Sequence, residues 1–204
     1  MINYGIYLVT DSEILKNKDF YKSIEESLKA GVKIIQLREK NALGKEFLEK
    51  AYKLRKMTKE YNATLIINDR VDIAMLVDAD GVHIGQKDID AREVRRLIGK
   101  NKILGVSAKN LKEAKKAKED GADYIGVGAM FTTSTKLDAN NVSFNELQNI
   151  KVNVDIPIVA IGGINIENIK DLKIYNLEGY AIVSAILNND NIYNISKEFI
   201  DSIR

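Results

Sequence analysis

Eight times along the 204 residues, a short apolar run gives way to a polar turn and then to a helical pattern. The apolar runs are Gly5–Val9, Lys33–Leu37, Thr64–Ile67, Gly81–Ile84, Ile103–Val106, Asp123–Val127, Pro157–Ile161 and Gly179–Val183. Most are continuous rather than alternating. A strand that meets water on one face alternates, whereas a strand of a parallel sheet is covered on both faces and reads as an unbroken apolar run. The only proline, Pro157, opens one of these runs, where its missing N–H is tolerated.

The stretches between them repeat with a helical period. In Glu46–Tyr61 the residues Phe47, Leu48, Ala51, Leu54 and Tyr61 share one face, with Lys and Glu opposite. Ala91–Ile98 and Leu111–Glu119 follow the same rule, and the Lys112, Lys115, Lys116, Lys118 run reads as a solvated face rather than a binding patch. Phe20–Ala30, Val71–Val77, Phe144–Lys151, Ile166–Leu172 and Ile192–Ile203 complete the set, and Gly31, Gly99 and Gly121 mark helix ends. Eight strand–helix units without a linker predict an α/β chain closed into a (β/α)8 TIM barrel, a single domain over residues 1–204. A doubly wound open sheet is the rival. It calls for a Gly-rich turn after the first strand, and Thr10-Asp11-Ser12 is no such turn.

Composition narrows the chemistry. With no cysteine, disulfides, thiolate nucleophiles and Cys-based zinc sites are excluded, and one histidine cannot build a His-rich metal site. A net charge of +2 predicts no general attraction to nucleic acid. No apolar run is long enough to span a bilayer and no signal peptide is visible, so the expectation is a cytoplasmic protein with neither nucleic-acid nor membrane partners. Homo-oligomerisation is left open.

In a barrel the chemistry gathers at the C-terminal ends of the strands. The second strand ends Gln36-Leu37-Arg38-Glu39-Lys40. Strand alternation puts Gln36, Arg38 and Lys40 on one side and Ile35 and Leu37 on the other, which must face the helices. Gln36 and Arg38 therefore point into the barrel. A buried charge there needs either an anionic ligand or an ion pair with Glu39 or another strand end. The third and fourth strands lead to Asn68-Asp69 and to Asp88 and Asp90. Each Asp could cap a helix, but two carboxylates at neighbouring strand ends beside Arg38 and Lys40 also suit Mg²⁺ and a diphosphate. His83 lies within a strand and reads as barrel lining. Ser107 has no His base in evidence, so it hydrogen-bonds a ligand or caps a helix rather than acting as nucleophile.

The sixth strand leads into Gly126–Lys136, whose small residues end in Thr133, Ser134, Thr135 and Lys136, suited to an oxyanion. A polar loop is the plainer reading. Gly162-Gly163 after strand seven and Val183-Ser184 after strand eight stand where barrels commonly hold a phosphate. Two anionic sites in one mouth follow, a diphosphate with Mg²⁺ at strands two to four and a monophosphate at strands six to eight.

Tyr7-Leu-Val-Thr-Asp11, Gln36-Leu-Arg-Glu-Lys40, Ile67-Asn-Asp-Arg70, Gly81-Val-His-Ile-Gly-Gln86, Gly105-Val-Ser107, Asp123-Tyr-Ile-Gly-Val-Gly128, Thr133-Ser-Thr-Lys136 and Ile161-Gly-Gly-Ile164 together resemble the thiamine phosphate synthase family, in the same order and nearly end to end. The resemblance implies a Mg²⁺-dependent transferase that joins hydroxymethylpyrimidine diphosphate to thiazole phosphate, releasing diphosphate. It implies that Gln36, Arg38, Lys40, Asn68 and Ser107 surround the pyrimidine diphosphate, and that Lys136 binds its diphosphate. Asp69 and Asp88 would be the metal ligands. Thr133, Thr135, Gly163, Val183 and Ser184 would hold the thiazole phosphate. Arg38, Lys40 and Lys136 would stabilise the leaving group. The chain departs from the family pattern at Ala129 and Thr132, where prolines are usual, and in Leu137–Asn141, which lacks a basic residue. A thiazole tautomerase-like paralogue would carry a His after strand six, where this chain has Gly128-Ala129-Met130. A non-catalytic phosphate-binding barrel would have no need of Asp69, Asp88 and Lys136.

Overall fold

The computed structural model describes residues 4–132 and 141–204. Eight parallel strands pair in chain order, and the first closes on the last. They are β1 (Gly5–Val9), β2 (Ile34–Leu37), β3 (Thr64–Asn68), β4 (Gly81–Ile84), β5 (Ile103–Ala108), β6 (Tyr124–Val127), β7 (Ile158–Ile161) and β8 (Gly179–Ile182). Around them lie α1 (Phe20–Ala30), α2 (Gly44–Glu60), α3 (Val71–Leu76), α4 (Ala91–Ile98), α5 (Leu111–Glu119), α6 (Phe144–Asn153), α7 (Ile169–Lys173), α8 (Ser184–Leu187) and α9 (Ile192–Ser202). This is the (β/α)8 barrel expected from the repeated apolar runs. Among the described residues, no helix is long and apolar enough to cross a membrane.

The strands bury two different faces. Ile6 and Leu8 of β1, Ile35 and Leu37 of β2, and Leu65 and Ile67 of β3 join the large core beneath the helices. Tyr7, Val9, Ile34, Ile66, Tyr124, Val159 and Ala181 form a second, smaller core inside the barrel. Each strand alternates between them, and both are closed to water, which is why the runs read as continuous. The helices pack as their apolar stripes require. Phe47, Ala51 and Leu54 of α2 are buried, while Lys112, Lys115, Lys116 and Lys118 of α5 are exposed.

Local chemistry sets the ends. Asp19, Asp90, Asn110 and Ser143 accept backbone N–H bonds at the starts of α1, α4, α5 and α6. Gly31 ends α1 in the left-handed conformation, at φ 110°. The helix expected from Ile166 begins at Ile169. The Asn165 carboxamide accepts from the N–H groups of Glu167 and Asn168, which holds a turn there instead. The short α8 has no counterpart in the sequence pattern, because four residues are less than the period needed to see a helix.

At the N-terminal floor one device recurs. The residue before an even strand places its carboxylate on the backbone N–H of the strand to its side. Asp80 accepts from Leu65 at 2.7 Å, Asp123 from Leu104 at 2.7 Å, and Glu178 from Ile158 at 2.7 Å. The backbone N–H of each returns a bond to the carbonyl of that same partner. A cation from the preceding even helix completes each clamp: Arg55 of α2 on Asp80, Arg95 of α4 on Asp123, Lys151 of α6 on Glu178. Before β2 the corresponding residue is Lys33, and no such carboxylate stands there.

Candidate active site

At the opposite end the strands open into a cavity of about 470 Å³. Gln36, Arg38, Lys40, Asn68, Asp69, Asp88, Ser107, Gly163, Val183 and Ser184 all line it. Ten residues singled out in sequence thus converge on one space, from β2, β3, β4, β5, β7 and β8 and the loops that follow. Thr133, Thr135 and Lys136 lie outside the described residues.

Gln36 is 5 % exposed and points inward, donating to the Tyr7 hydroxyl at 2.7 Å. Arg38 follows it on the same side. Its guanidinium donates to Asp11 Oδ2 at 3.1 Å, and its backbone N–H donates to Thr10 Oγ1 at 3.0 Å. The ion-pair alternative is therefore realised with a strand end, that of β1, and the arginine still faces the cavity. Glu39 turns away to Lys50 and Ser12. Lys40 Nζ meets Asp69 Oδ2 at 2.5 Å, with half of its side chain exposed.

Neither aspartate spends its side chain as a helix cap. Asp69 sits just before α3, whose N-cap residue is Arg70 and carries no side-chain cap bond, and the Asp69 φ is 61°. That left-handed turn after Asn68 costs about 1 kcal/mol or more for a residue with a Cβ, and it swings the carboxylate over the mouth. Asp90 caps α4, while Asp88 Oδ2 accepts the Gly85 N–H at 2.7 Å. Burial against the cavity wall pushes the Asp88 carboxyl above the usual carboxylate range, and the neighbouring Asp69 adds to the shift. The Gly85 N–H and Lys40 oppose it. A carboxyl raised by burial and by a neighbouring carboxylate belongs to the kind of donor set a hard divalent cation relieves. Among the described residues no group of three or more His, Cys, Asp or Glu comes together, so an ion here would keep waters or take oxygens from a ligand.

Across the mouth, Gly162 and Gly163 turn at φ 98° and 66°. A Cβ on Gly163 would lie 2.5 Å from the Thr132 carbonyl oxygen, so only glycine fits this close approach. A second recess of about 440 Å³ adjoins it, sharing Gly163, Ile164 and Ser184 with the main cavity and adding Thr132 and Asn165.

Sequence reasoning passed over Asp11 and the two tyrosines. Tyr7 and Tyr124 lie in apolar runs, and nothing in the runs themselves separates an inward tyrosine from an outward isoleucine. Their hydroxyls meet at 2.8 Å inside the barrel. His83, as expected, lines the barrel, with Nδ1 on the Tyr124 hydroxyl at 2.9 Å and Nε2 on Ser107 Oγ at 3.0 Å.

A family model described as thiamine monophosphate synthase matches residues 6–186. The thiamine-phosphate synthase of Clostridioides difficile is 63% identical over 187 residues, covering 92% of this chain and 89% of that protein. That of Alkaliphilus oremlandii is 55% identical over 203 residues, covering 100% of this chain and 97% of its own length. The solved thiamine phosphate pyrophosphorylase from Pyrococcus furiosus superposes with a TM-score of 0.91 at 36% identity, covering 98% of this chain and 96% of that one.

Proposed function

The chain belongs to the thiamine monophosphate synthase family, and from that premise we propose how its barrel mouth divides the work of the synthase reaction. The enzyme is a transferase that condenses hydroxymethylpyrimidine diphosphate with thiazole phosphate to give thiamine phosphate and diphosphate. The single observation that carries the division is one continuous cavity lined by Arg38, Lys40, Asp69 and Asp88 on one side and by Gly163, Val183 and Ser184 on the other.

The bond that breaks joins the pyrimidine methylene carbon to a diphosphate oxygen. The bond that forms joins that carbon to the thiazole nitrogen. The pyrimidine ring stabilises the cation as diphosphate departs, so the protein supplies no nucleophile. Arg38 and Lys40 hold the diphosphate oxygens, and Lys136 serves the same leaving group. Their charge counts most where negative charge accumulates on the leaving group. The Asp11 carboxylate keeps the Arg38 guanidinium aimed at the mouth.

Asp69 and Asp88 are the residues that would hold Mg²⁺. When bound, such an ion neutralises diphosphate charge and makes it a better leaving group. Asn68, Gln36 and Ser107 hold the pyrimidine. Gly163 and the Val183-Ser184 turn, with Thr133 and Thr135, hold the thiazole phosphate through backbone N–H and hydroxyl donors. Seating both substrates in one cavity turns a bimolecular encounter into a positioned one.

Incubating the protein with both substrates and Mg²⁺ should yield thiamine phosphate and diphosphate in equal amounts. Binding of both substrates without product would overturn the reading. Lys136→Ala should lower kcat by about 100-fold or more if it serves the leaving group, and a wild-type kcat would remove it from that role.

A further inference from the structure

Resting on the synthase reading above, we propose that Tyr124 and Tyr7 are positioning residues that act through His83 to hold the Ser107 hydroxyl as a donor into the cavity. Four hydrogen bonds run in one line through the barrel. Gln36 Nε2 donates to Tyr7 at 2.7 Å, and the two phenols meet at 2.8 Å. Tyr124 meets His83 Nδ1 at 2.9 Å, and His83 Nε2 meets Ser107 Oγ at 3.0 Å.

Each phenol carries one proton, and that fixes the direction of the line. Tyr7 accepts from Gln36 and so passes its own proton to Tyr124. Tyr124 in turn donates to Nδ1. A neutral imidazole that accepts at Nδ1 carries its proton on Nε2 and donates it to Ser107. Ser107 thereby keeps its own proton for the cavity it lines. Turning the Gln36 carboxamide over would reverse every step. His83 would then donate from Nδ1, and Ser107 would spend its proton on Nε2, leaving only an acceptor for the substrate.

The surroundings hold this line in place. Tyr7 and Tyr124 are each 1 % exposed, and burial keeps both phenols protonated far above their ordinary range. Gly105 of β5 faces the Tyr124 ring, and a Cβ there would lie 2.4 Å from the hydroxyl oxygen. Gly126 of β6 faces His83 in the same way, at 3.0 Å from Cε1. Two strands give up inward side chains where the rings sit.

His83 is the only histidine in the chain, so its imidazole nitrogens can be read without ambiguity. In protein labelled with ¹⁵N-histidine, a long-range ¹H–¹⁵N correlation above the imidazole titration should show the Nε2–H tautomer with a hydrogen-bonded Nδ1. In Tyr124→Phe the Nδ1 resonance should move downfield as its donor is lost, and kcat should fall about fivefold to tenfold, the worth of one neutral hydrogen bond. Tyr7→Phe, which leaves the Tyr124–His83 bond in place, should show smaller changes of the same sign. An Nδ1–H ground state, or a Tyr124→Phe enzyme with an unmoved Nδ1 resonance or wild-type kcat, would overturn the proposal. The wild-type spectrum decides even if a variant fails to fold. It also needs no turnover, so failure of the relay and failure of the synthase reading are told apart.

Discussion

The two ends of this barrel spend carboxylates in opposite ways. At the floor, Asp80, Asp123 and Glu178 are each closed, bound by a strand N–H and by a cation of their own. At the mouth, Asp69 and Asp88 hold a cation and a turn and still face a cavity, and Asp11 holds Arg38, which lines it. The floor groups satisfy backbone that would otherwise lie unpaired where a parallel strand begins. The mouth groups keep charge in reserve, and the left-handed Asp69 and the raised Asp88 carboxyl record what that costs. Floor substitutions should therefore lower stability and spare chemistry, and mouth substitutions should do the reverse.

The largest separation is expected for Lys40→Met. Its exposed pair with Asp69 is worth about 1 kcal/mol or less, so Tm should barely move, whereas loss of a leaving-group cation should cost about 100-fold to 1000-fold in kcat. A large fall in Tm would show that Lys40 is structural. Next is Asp80→Ala. It removes two Arg55 bonds and the bond from Leu65 N–H, a loss of about 2–3 kcal/mol for charge-assisted bonds. Chemical denaturation should record that loss with kcat unchanged at a temperature where the variant is folded. A change in kcat as large as that of Lys40→Met would break the contrast between the two ends.

Asp88→Asn tests the reserve itself. Mg²⁺ with diphosphate should raise the Tm of the wild-type protein more than that of the variant, which keeps Arg38, Lys40 and Asp69 but loses one metal ligand; an equal rise would remove Asp88 from the metal site. The smallest effect is on pH dependence. The folded Asp88 carboxyl titrates above its unfolded value of about 3.9, so its ionisation opposes folding. That penalty is absent below the unfolded value and is complete once pH has risen through the folded one. Ligand-free Asp88→Asn should therefore be slightly more stable than wild type at neutral pH and equal to it in acid. A variant less stable at neutral pH would mean that Gly85 and Lys40 outweigh the burial and Asp69.

Much of this is legible in the amino-acid sequence. Continuous apolar runs separated by helical periods required a sheet covered on both faces, and Gln36 and Arg38 had to turn inward because Ile35 and Leu37 could not. The Asp69 and Asp88 capping alternative needed the structure, which gives the cap of α4 to Asp90. The pairing of Arg38 with Asp11 joins two strand ends 27 residues apart. The floor clamps depend on register, since Asp80 reaches Leu65 only because Gly81 pairs with Ile66. No periodicity in a single strand carries that information.

Sequence alone determined the barrel, its strand ends and the family, because patterning and residue type are local properties of the chain. Only the tertiary structure decided that Tyr7, Tyr124 and His83 form one line from Gln36 to Ser107. A tyrosine inside an apolar run is the same letter whether its hydroxyl meets a helix or the axis of a closed barrel. It is closure that brings β1, β2, β4, β5 and β6 around a common interior. There each buried hydroxyl must find a partner, and those partners set which way the last one points.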